Sequence, residues 1–219
     1  GIITIPESVV AIDNGVFANY KDLKKVNFPS GLKTIGANAF KGCTALASAA
    51  LPETLQSIGE QAFYDCTKLK TLTVGTQLTA VGNSTFENCS TLQQVEFPAG
   101  TTTFGKRMFA GCKSLKKVVL PDHLTTLPKS TFFNCYQLTE VTLPSLLQHI
   151  EGAVFWQCRS LKQITLPSQL QSIGSGVFAG CSSLTFLTFP ASVRLIGESL
   201  FNGCDHLEHL TCLSPNPPS

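Results

Sequence analysis

The apolar residues of this chain fall into columns rather than into one helical or strand rhythm. Phe recurs at 17, 40, 63, 86, 109, 132, 155, 178 and 201, each 23 residues after the last. Cys follows at 43, 66, 89, 112, 135, 158, 181 and 204, with Tyr20 in the same slot one period earlier. Leu fills 23, 46, 69, 92, 115, 138, 161, 184 and 207. A proline column runs through 6, 29, 52, 98, 121, 144, 167 and 190, with Gly75 in place of one member. Ile-Gly stands at Ile35-Gly36, Ile58-Gly59, Ile173-Gly174 and Ile196-Gly197. Nothing is inserted across the nine periods. A fixed period of this length is the mark of a repeat architecture.

Within one repeat the pattern predicts local structure. In "LKQITLP" the residues Leu161, Ile164 and Leu166 point inward, and the alternation through Thr165 is strand rhythm. Pro167 ends the strand, because proline has no N–H for a ladder. The stretch "QLQSIGSGVF" carries the chain around the far side, with the Ile-Gly pair read as a sharp bend. One such coil cannot bury its apolar face. Stacked coils can, and equivalent residues then form ladders along the stack. At a strand spacing of about 4.8 Å, the coils build a parallel-stranded solenoid ~45 Å long. The expectation is one domain over 1–212, with a Pro-rich tail at 213–219.

Read as L-x-x-[IV]-x-[LF]-P-x-x-L-x-x-I-G-x-x-x-F-x-x-C-x-x, the repeat resembles the BspA-like, or Treponema pallidum-type, leucine-rich repeat. The resemblance covers residues 2 to 212. Departures are local: Ala49 and Phe104 at Ile slots, Pro128 and Glu151 at the Gly slot. It implies an α/β-type repeat solenoid of about nine 23-residue coils, with mostly parallel strands and irregular or short-stranded returns. It also implies a secreted or cell-surface bacterial protein that adheres to host or neighbouring-cell proteins, and not an enzyme.

Composition narrows the partners. Charged residues are only 14% of the chain and the net charge is +2. Overall charge therefore points to no nucleic-acid partner. No apolar run is long enough to span a membrane, so no membrane insertion is expected, and the solenoid is read as a monomer. The opening "GIITIPESVV" has neither a basic start nor a cleavage site, and is read as mature sequence.

The cysteine column admits disulfides, a metal or buried thiols. Neighbouring coils hold their Cβ atoms near 5 Å, whereas a disulfide wants about 3.8 Å. Pairing would pinch alternate coils together, so a buried thiol ladder, bonded to turn carbonyls, is favoured. "CDHLEHLTC" brings Cys204, His206, His209 and Cys212 within nine residues. The register sends the cysteines inward and the histidines outward, which argues against a tetrahedral metal site. Neither a metal nor a cofactor is expected. The histidines at 123, 149, 206 and 209 occupy variable slots, no catalytic motif is present, and carboxylates are scattered. Buried thiols lack the exposure of a catalytic cysteine. Asn83-Ser84-Thr85 and Asn88-Cys89-Ser90 match the glycosylation sequon only weakly.

Binding must then sit in the letters that vary. The outward strand slots carry Lys116, Lys117, Lys162 and Phe186, which read either as a mildly basic binding face or as a plain solvated sheet. The slot after the ladder Phe carries Phe133 and Trp156, with Tyr136 nearby. These aromatics read either as a protein-binding cluster or as a cover over the coil edge. The leading expectation is a protein-interaction module. The alternative is a spacer solenoid that displays other domains.

Overall fold

The computed structural model describes residues 1–213. Each coil has three sides. The first carries the longer strands β1 (Ile2–Thr4), β3 (Lys25–Asn27), β5 (Ser48–Ala50), β7 (Thr71–Thr73), β9 (Gln94–Glu96), β11 (Lys117–Val119), β13 (Glu140–Thr142), β16 (Phe186–Phe189) and β18 (His209–Cys212). The second carries two-residue strands: β2 (Ala11–Ile12), β4 (Thr34–Ile35), β6 (Ser57–Ile58), β8 (Ala80–Val81), β10 (Thr103–Phe104), β12 (Thr126–Leu127), β14 (His149–Ile150), β15 (Ser172–Ile173) and β17 (Leu195–Ile196). The third is a turn edge around the Phe-x-x-Cys segment. All strand pairs are parallel and offset by one period, such as Lys117 beside Gln94 and Glu140. The predicted parallel solenoid is therefore observed. The α/β label needs correction: the described residues contain no helix, because the returns spend their length on short strands and turns.

The turn edge holds the coils together without a break. Its residues at 15, 38, 61, 84, 107, 130, 153, 176 and 199 have positive φ, and so do those at 19, 42, 65, 88, 111, 134, 157, 180 and 203. The two positions flank the ladder Phe by two residues on either side. This conformation costs a non-glycine residue about 1–2 kcal/mol. It also turns three N–H groups per coil toward the next one. In coil after coil they reach carbonyls there: Arg107 N to Lys129 O at 3.0 Å, Phe109 N to Thr131 O at 2.9 Å and Gly111 N to Phe133 O at 2.7 Å. The second position precedes each Cys and is always Gly, Asn, Asp or Gln, a set dominated by residues that tolerate the left-handed region.

Beneath this ladder the phenylalanines stack from Phe17 to Phe201. Successive ring centroids are 5.2–6.0 Å apart and the planes are within 18°. Each ladder thiol donates to the carbonyl of the Phe one coil earlier, as Cys112 Sγ does to Phe86 O at 3.1 Å. The same bond recurs from Cys43 to Cys204, at 3.0–3.3 Å. All nine cysteines are free thiols, as the favoured reading required. One detail differs. Cys212 sits on an inward slot yet is exposed, because no described residue covers the last coil.

The Ile-Gly pair also needs revision. It is not a bend: Ile35, Ile58 and Ile173 lie in short strands, and the glycines after them have no positive φ. These glycines are needed because adjacent coils come too close for a side chain. A Cβ on Gly82 would lie 2.5 Å from Glu60 N, and one on Gly59 would lie 2.5 Å from Ala37 N.

The longer-strand sheet is discontinuous. It divides into β1-β3, β5-β7, β9-β11-β13 and β16-β18. The stretch Leu161–Pro167 has the predicted inward residues, with Leu161, Ile164 and Leu166 buried. However, it joins no ladder and forms no strand. Among the tail residues 213–219, only Leu213 lies within the described part.

Two outcomes follow. Burial pushes the ladder thiols up from the ordinary value, Cys43 to about 11, and Cys66, Cys89, Cys112, Cys135 and Cys158 well above 9.0. Unfolded thiols ionise from about pH 8.5, so above that pH the folded state holds more protons than the unfolded state. Stability is thus complete below pH 8.5. It falls as pH rises, by about 1.4 kcal/mol per pH unit for each thiol that ionises only on unfolding. Urea unfolding at pH 7.5, 9 and 10 should show a steep loss; a flat profile would contradict the buried ladder. Separately, Gly82→Ala should cost about 1–3 kcal/mol through overpacking. Gly100→Ala, where nothing lies within 4 Å, should be neutral or slightly stabilising in the same melts.

Candidate functional site

The seven sequence candidates lie on different parts of the surface. Phe133 and Trp156 are half-buried on the turn edge, and their rings stack at 6.2 Å with 23° between planes. The outer face of Phe133 meets the Arg107 guanidinium at 5.8 Å. Trp156 leans on the next coil, where a Cβ at Gly176 would be 2.9 Å from its six-membered ring. The ring faces are therefore occupied by Arg107, by each other and by Gly176, and the edges are left for solvent. This arrangement is what a packing role requires. Arg107 is in turn held by Glu87 through two hydrogen bonds, at 2.6 and 3.0 Å. Glu87 is buried, so this guanidinium is what keeps a carboxylate inside the wall.

Tyr136 is half-buried, with Arg159 4.7 Å above its ring. It stands at the corner between the turn edge and the longer-strand sheet. Lys116, Lys117 and Lys162 are exposed on that sheet side. Lys117 makes an exposed ion pair with Glu140 at 3.4 Å, a contact worth little by itself. Phe186 is 46% exposed. With Ile164, Thr165, Leu166, Thr188, Pro190 and Leu213 it bounds a hollow of about 270 Å³.

A larger groove was not legible from the columns. Between β7 and β9 the strands run side by side without ladder bonds, and an open groove of about 510 Å³ lies across them. Leu72, Val95 and Phe97 form its floor, and Gln94, Glu96 and Lys117 stand on its rim. Gly75 stands just after β7 where other coils have proline, and its bare backbone lies against the Pro52 carbonyl of the preceding coil, at a distance that any Cβ would forbid. The loss of proline at position 75 was the one signal in the sequence. A second groove of about 460 Å³ runs between β13 and the unpaired stretch Gln163–Pro167. Both grooves sit where the sheet is split.

Eight thiols are engaged with Phe carbonyls, and burial raises their pKa, the reverse of what a nucleophile needs. His206 Nδ1 is 2.6 Å from Ser182 O and Cys204 Sγ bonds Phe178 O. Among the described residues, no three His, Cys, Asp or Glu side chains converge as metal ligands. Among the described residues, no helix is long and apolar enough to cross a membrane. At the sequons, Asn83 Oδ1 accepts from Lys106 N, and Asn88 Nδ2 donates to Asp65.

The fold and its sequence match known repeat proteins. Residues 2–116 and 102–216 match the family model described as BspA type leucine rich repeat region, in six copies. A leucine-rich repeat protein of Bacteroides ovatus is 31% identical, with a TM-score of 0.77. The match covers 95% of this chain and 60% of that one, so the chain spans less than two thirds of that protein's length. The T. pallidum leucine rich repeat protein is 29% identical, with a TM-score of 0.68, covering 73% of this chain and 77% of that one. A leucine rich cell surface protein of Faecalibacterium prausnitzii is 26% identical, with a TM-score of 0.75, covering 96% and 69%. No protein of curated function matches the chain.

The Trp156–Gly176 contact makes a direct prediction. Trp156→Ala should destabilise by about 1–3 kcal/mol, less than the cost for a fully buried ring. Gly176→Ala should destabilise by about 1–2 kcal/mol, since its φ is +63°. If the tryptophan packs on that glycine, the double variant should lose less than the two singles together. Additive losses in thermal or urea unfolding would show that the ring does not depend on the bare backbone.

Proposed function

The chain belongs to the BspA-type leucine-rich repeat family, and from that premise we propose that it is a non-enzymatic, cell-surface protein-recognition module. Its ligand is a protein on a host or a neighbouring cell, and its contact face is the side of the longer strands. One observation carries this reading. On that side the sheet opens into grooves, and its outward letters change from coil to coil. The turn edge is closed by an unbroken backbone ladder, and the short-strand side breaks at one step, between β10 and β12. An apolar floor of Leu72, Val95 and Phe97 under a polar rim is the layout of a protein contact, with a dry centre and a wet edge.

The aromatic pair Phe133 and Trp156 is assigned to the scaffold in this reading, because its ring faces are already used. Tyr136 and Phe186 are secondary contacts at the margins of the face. Lys116, Lys117 and Lys162 tune its charge. Surface location is inferred from the cell-surface protein of Faecalibacterium prausnitzii to which the chain is similar.

The chain, immobilised, should bind a component of serum or extracellular matrix, or of a bacterial surface extract, saturably. Gln94→Ala, Glu96→Ala and Lys117→Ala combined should weaken that binding at least tenfold without shifting the melting temperature. Phe133→Ala should lower the melting temperature and leave the affinity of the folded fraction unchanged. Loss of binding in Phe133→Ala alone, at unchanged stability, would move the site to the turn edge and overturn the assignment.

A further inference from the structure

The lysines of the first outward column alternate with uncharged residues. The column reads Lys24, Ala47, Lys70, Gln93, Lys116, Thr139, Lys162, Thr185 and Glu208. Backbone hydrogen bonds link its members step by step from Lys24 to Thr139: Ala47 N to Lys24 O, Lys70 N to Ala47 O, Gln93 N to Lys70 O, Lys116 N to Gln93 O and Thr139 N to Lys116 O; the step to Lys162 lacks this bond, and the next, Thr185 N to Lys162 O, has it. Successive lysines are thus two coils apart, about 10 Å at the usual strand spacing. All four are exposed, and no ion pair forms at any of them among the described residues.

The same alternation governs the corner beside the column. Each lysine-bearing coil adds an exposed cation two or three residues earlier: Lys21, Lys68, Lys113 and Arg159. The intervening coils have none there, reading "TALAS", "STLQQ" and "YQLTE". Ten of the sixteen Lys and Arg residues lie on these four corners, counting Lys25 and Lys117. Spreading charge to avoid repulsion does not explain this. Like charges side by side in a sheet are unfavourable, and dispersal would put single cations on every coil. Here two or three are gathered on alternate coils, and the coils between are left neutral. The acidic groups in this corner are Asp22, Glu140 and, on the last coil beyond the lysines, Asp205 and Glu208; Glu140 is held by Lys117 outside the column.

We propose that this stripe binds an extended acidic polysaccharide, lying along the solenoid axis, with one carboxylate per disaccharide. Such a chain is straight and presents like charges at the length of two sugar rings, which matches the two-coil pitch. From Lys24 to Lys162 the stripe spans about 30 Å. Neighbouring sites lie farther apart than the Debye length of about 8 Å at physiological salt, so each lysine acts nearly independently. Nucleic acid fits less well: phosphates recur every 3.4 Å or so along each strand of a duplex. The inference goes beyond protein recognition and does not depend on it, since it uses a different ligand class and the groove rim only at its margin.

The probe is hyaluronan, with neutral dextran and single-stranded poly(dT) as comparisons. Binding is read by isothermal calorimetry across a salt series, with circular dichroism as the folding control. The chain should bind hyaluronan, ignore dextran and bind poly(dT) more weakly. Lys24, Lys70, Lys116 and Lys162 replaced together by Gln should lose at least tenfold in affinity, and most of the salt dependence. A control replacing Lys33, Lys106, Lys129 and Arg194 by Gln should change affinity less than twofold. A third variant keeps the net charge and breaks the pitch: Lys70→Gln with Gln93→Lys, and Lys162→Gln with Thr139→Lys. It should lose at least fivefold. Undiminished binding by this variant, an equal loss in the control, tighter binding of poly(dT), or no hyaluronan binding would each overturn the proposal. Failure to capture a protein ligand would leave these outcomes unchanged.

Discussion

Every coil of this solenoid leaves backbone N–H and C=O groups pointing along the axis, and only another coil of the same length can satisfy them. A buried unpaired peptide group costs as much as a lost hydrogen bond or more. The 23-residue period follows from that constraint. One extra residue in a coil would rotate every later N–H away from its partner. The turn edge meets the demand most fully, with three bonds to the next coil at each step from Gly15 to Gly180. It does so by holding two residues per coil at positive φ. The local penalty is offset by the bonds it aims and by the Phe stack beneath. The Cys thiol completes the arrangement, because it adds a second donor to a Phe carbonyl that already accepts the local Cys amide.

Where one side is locked, the others have latitude. The second side is held at short range by glycines, whose missing Cβ lets neighbouring backbones touch. The first side is held least. There the ladder lapses between β3 and β5, between β7 and β9 and along Leu161–Pro167 without unfolding the coil, because the turn edge keeps the pitch. Hence surface that can vary gathers on one face: the scaffold letters are spent on two sides, and the third carries grooves, charges and exposed apolar residues. The aromatic pair at Phe133 and Trp156 belongs to the locked part. Its position is variable in sequence, but its rings are clamped between Arg107 and Gly176.

The recognition features operate at two lengths. The groove over Leu72 and Val95 is local, spanning a few coils. The lysine stripe is collective, and its information lies in a doubled period rather than in any one residue. A rigid repeat suits both, since stacking fixes the distance between equivalent side chains more firmly than a set of loops would.

The sequence alone determined the period, the parallel stacking and the inward columns. Each of these follows from translation: a residue at a fixed slot meets its own equivalent in the next coil, so columns of letters become columns of contacts. The alternating lysines were legible for the same reason once the columns were written out. The tertiary structure decided what depends on the distance between particular coils. "LKQITLP" has strand rhythm yet forms no strand, because a ladder needs a neighbour at bonding distance as well as alternation. Ile-Gly read as a bend, and is instead a close approach to a backbone 23 residues away. Trp156 read equally as a site or a cover, and only the empty space over Gly176 shows where its face rests. The groove beside Gly75 had one signal, a missing proline. Its neighbour there is the Pro52 carbonyl of the preceding coil, which a linear reading does not place beside it.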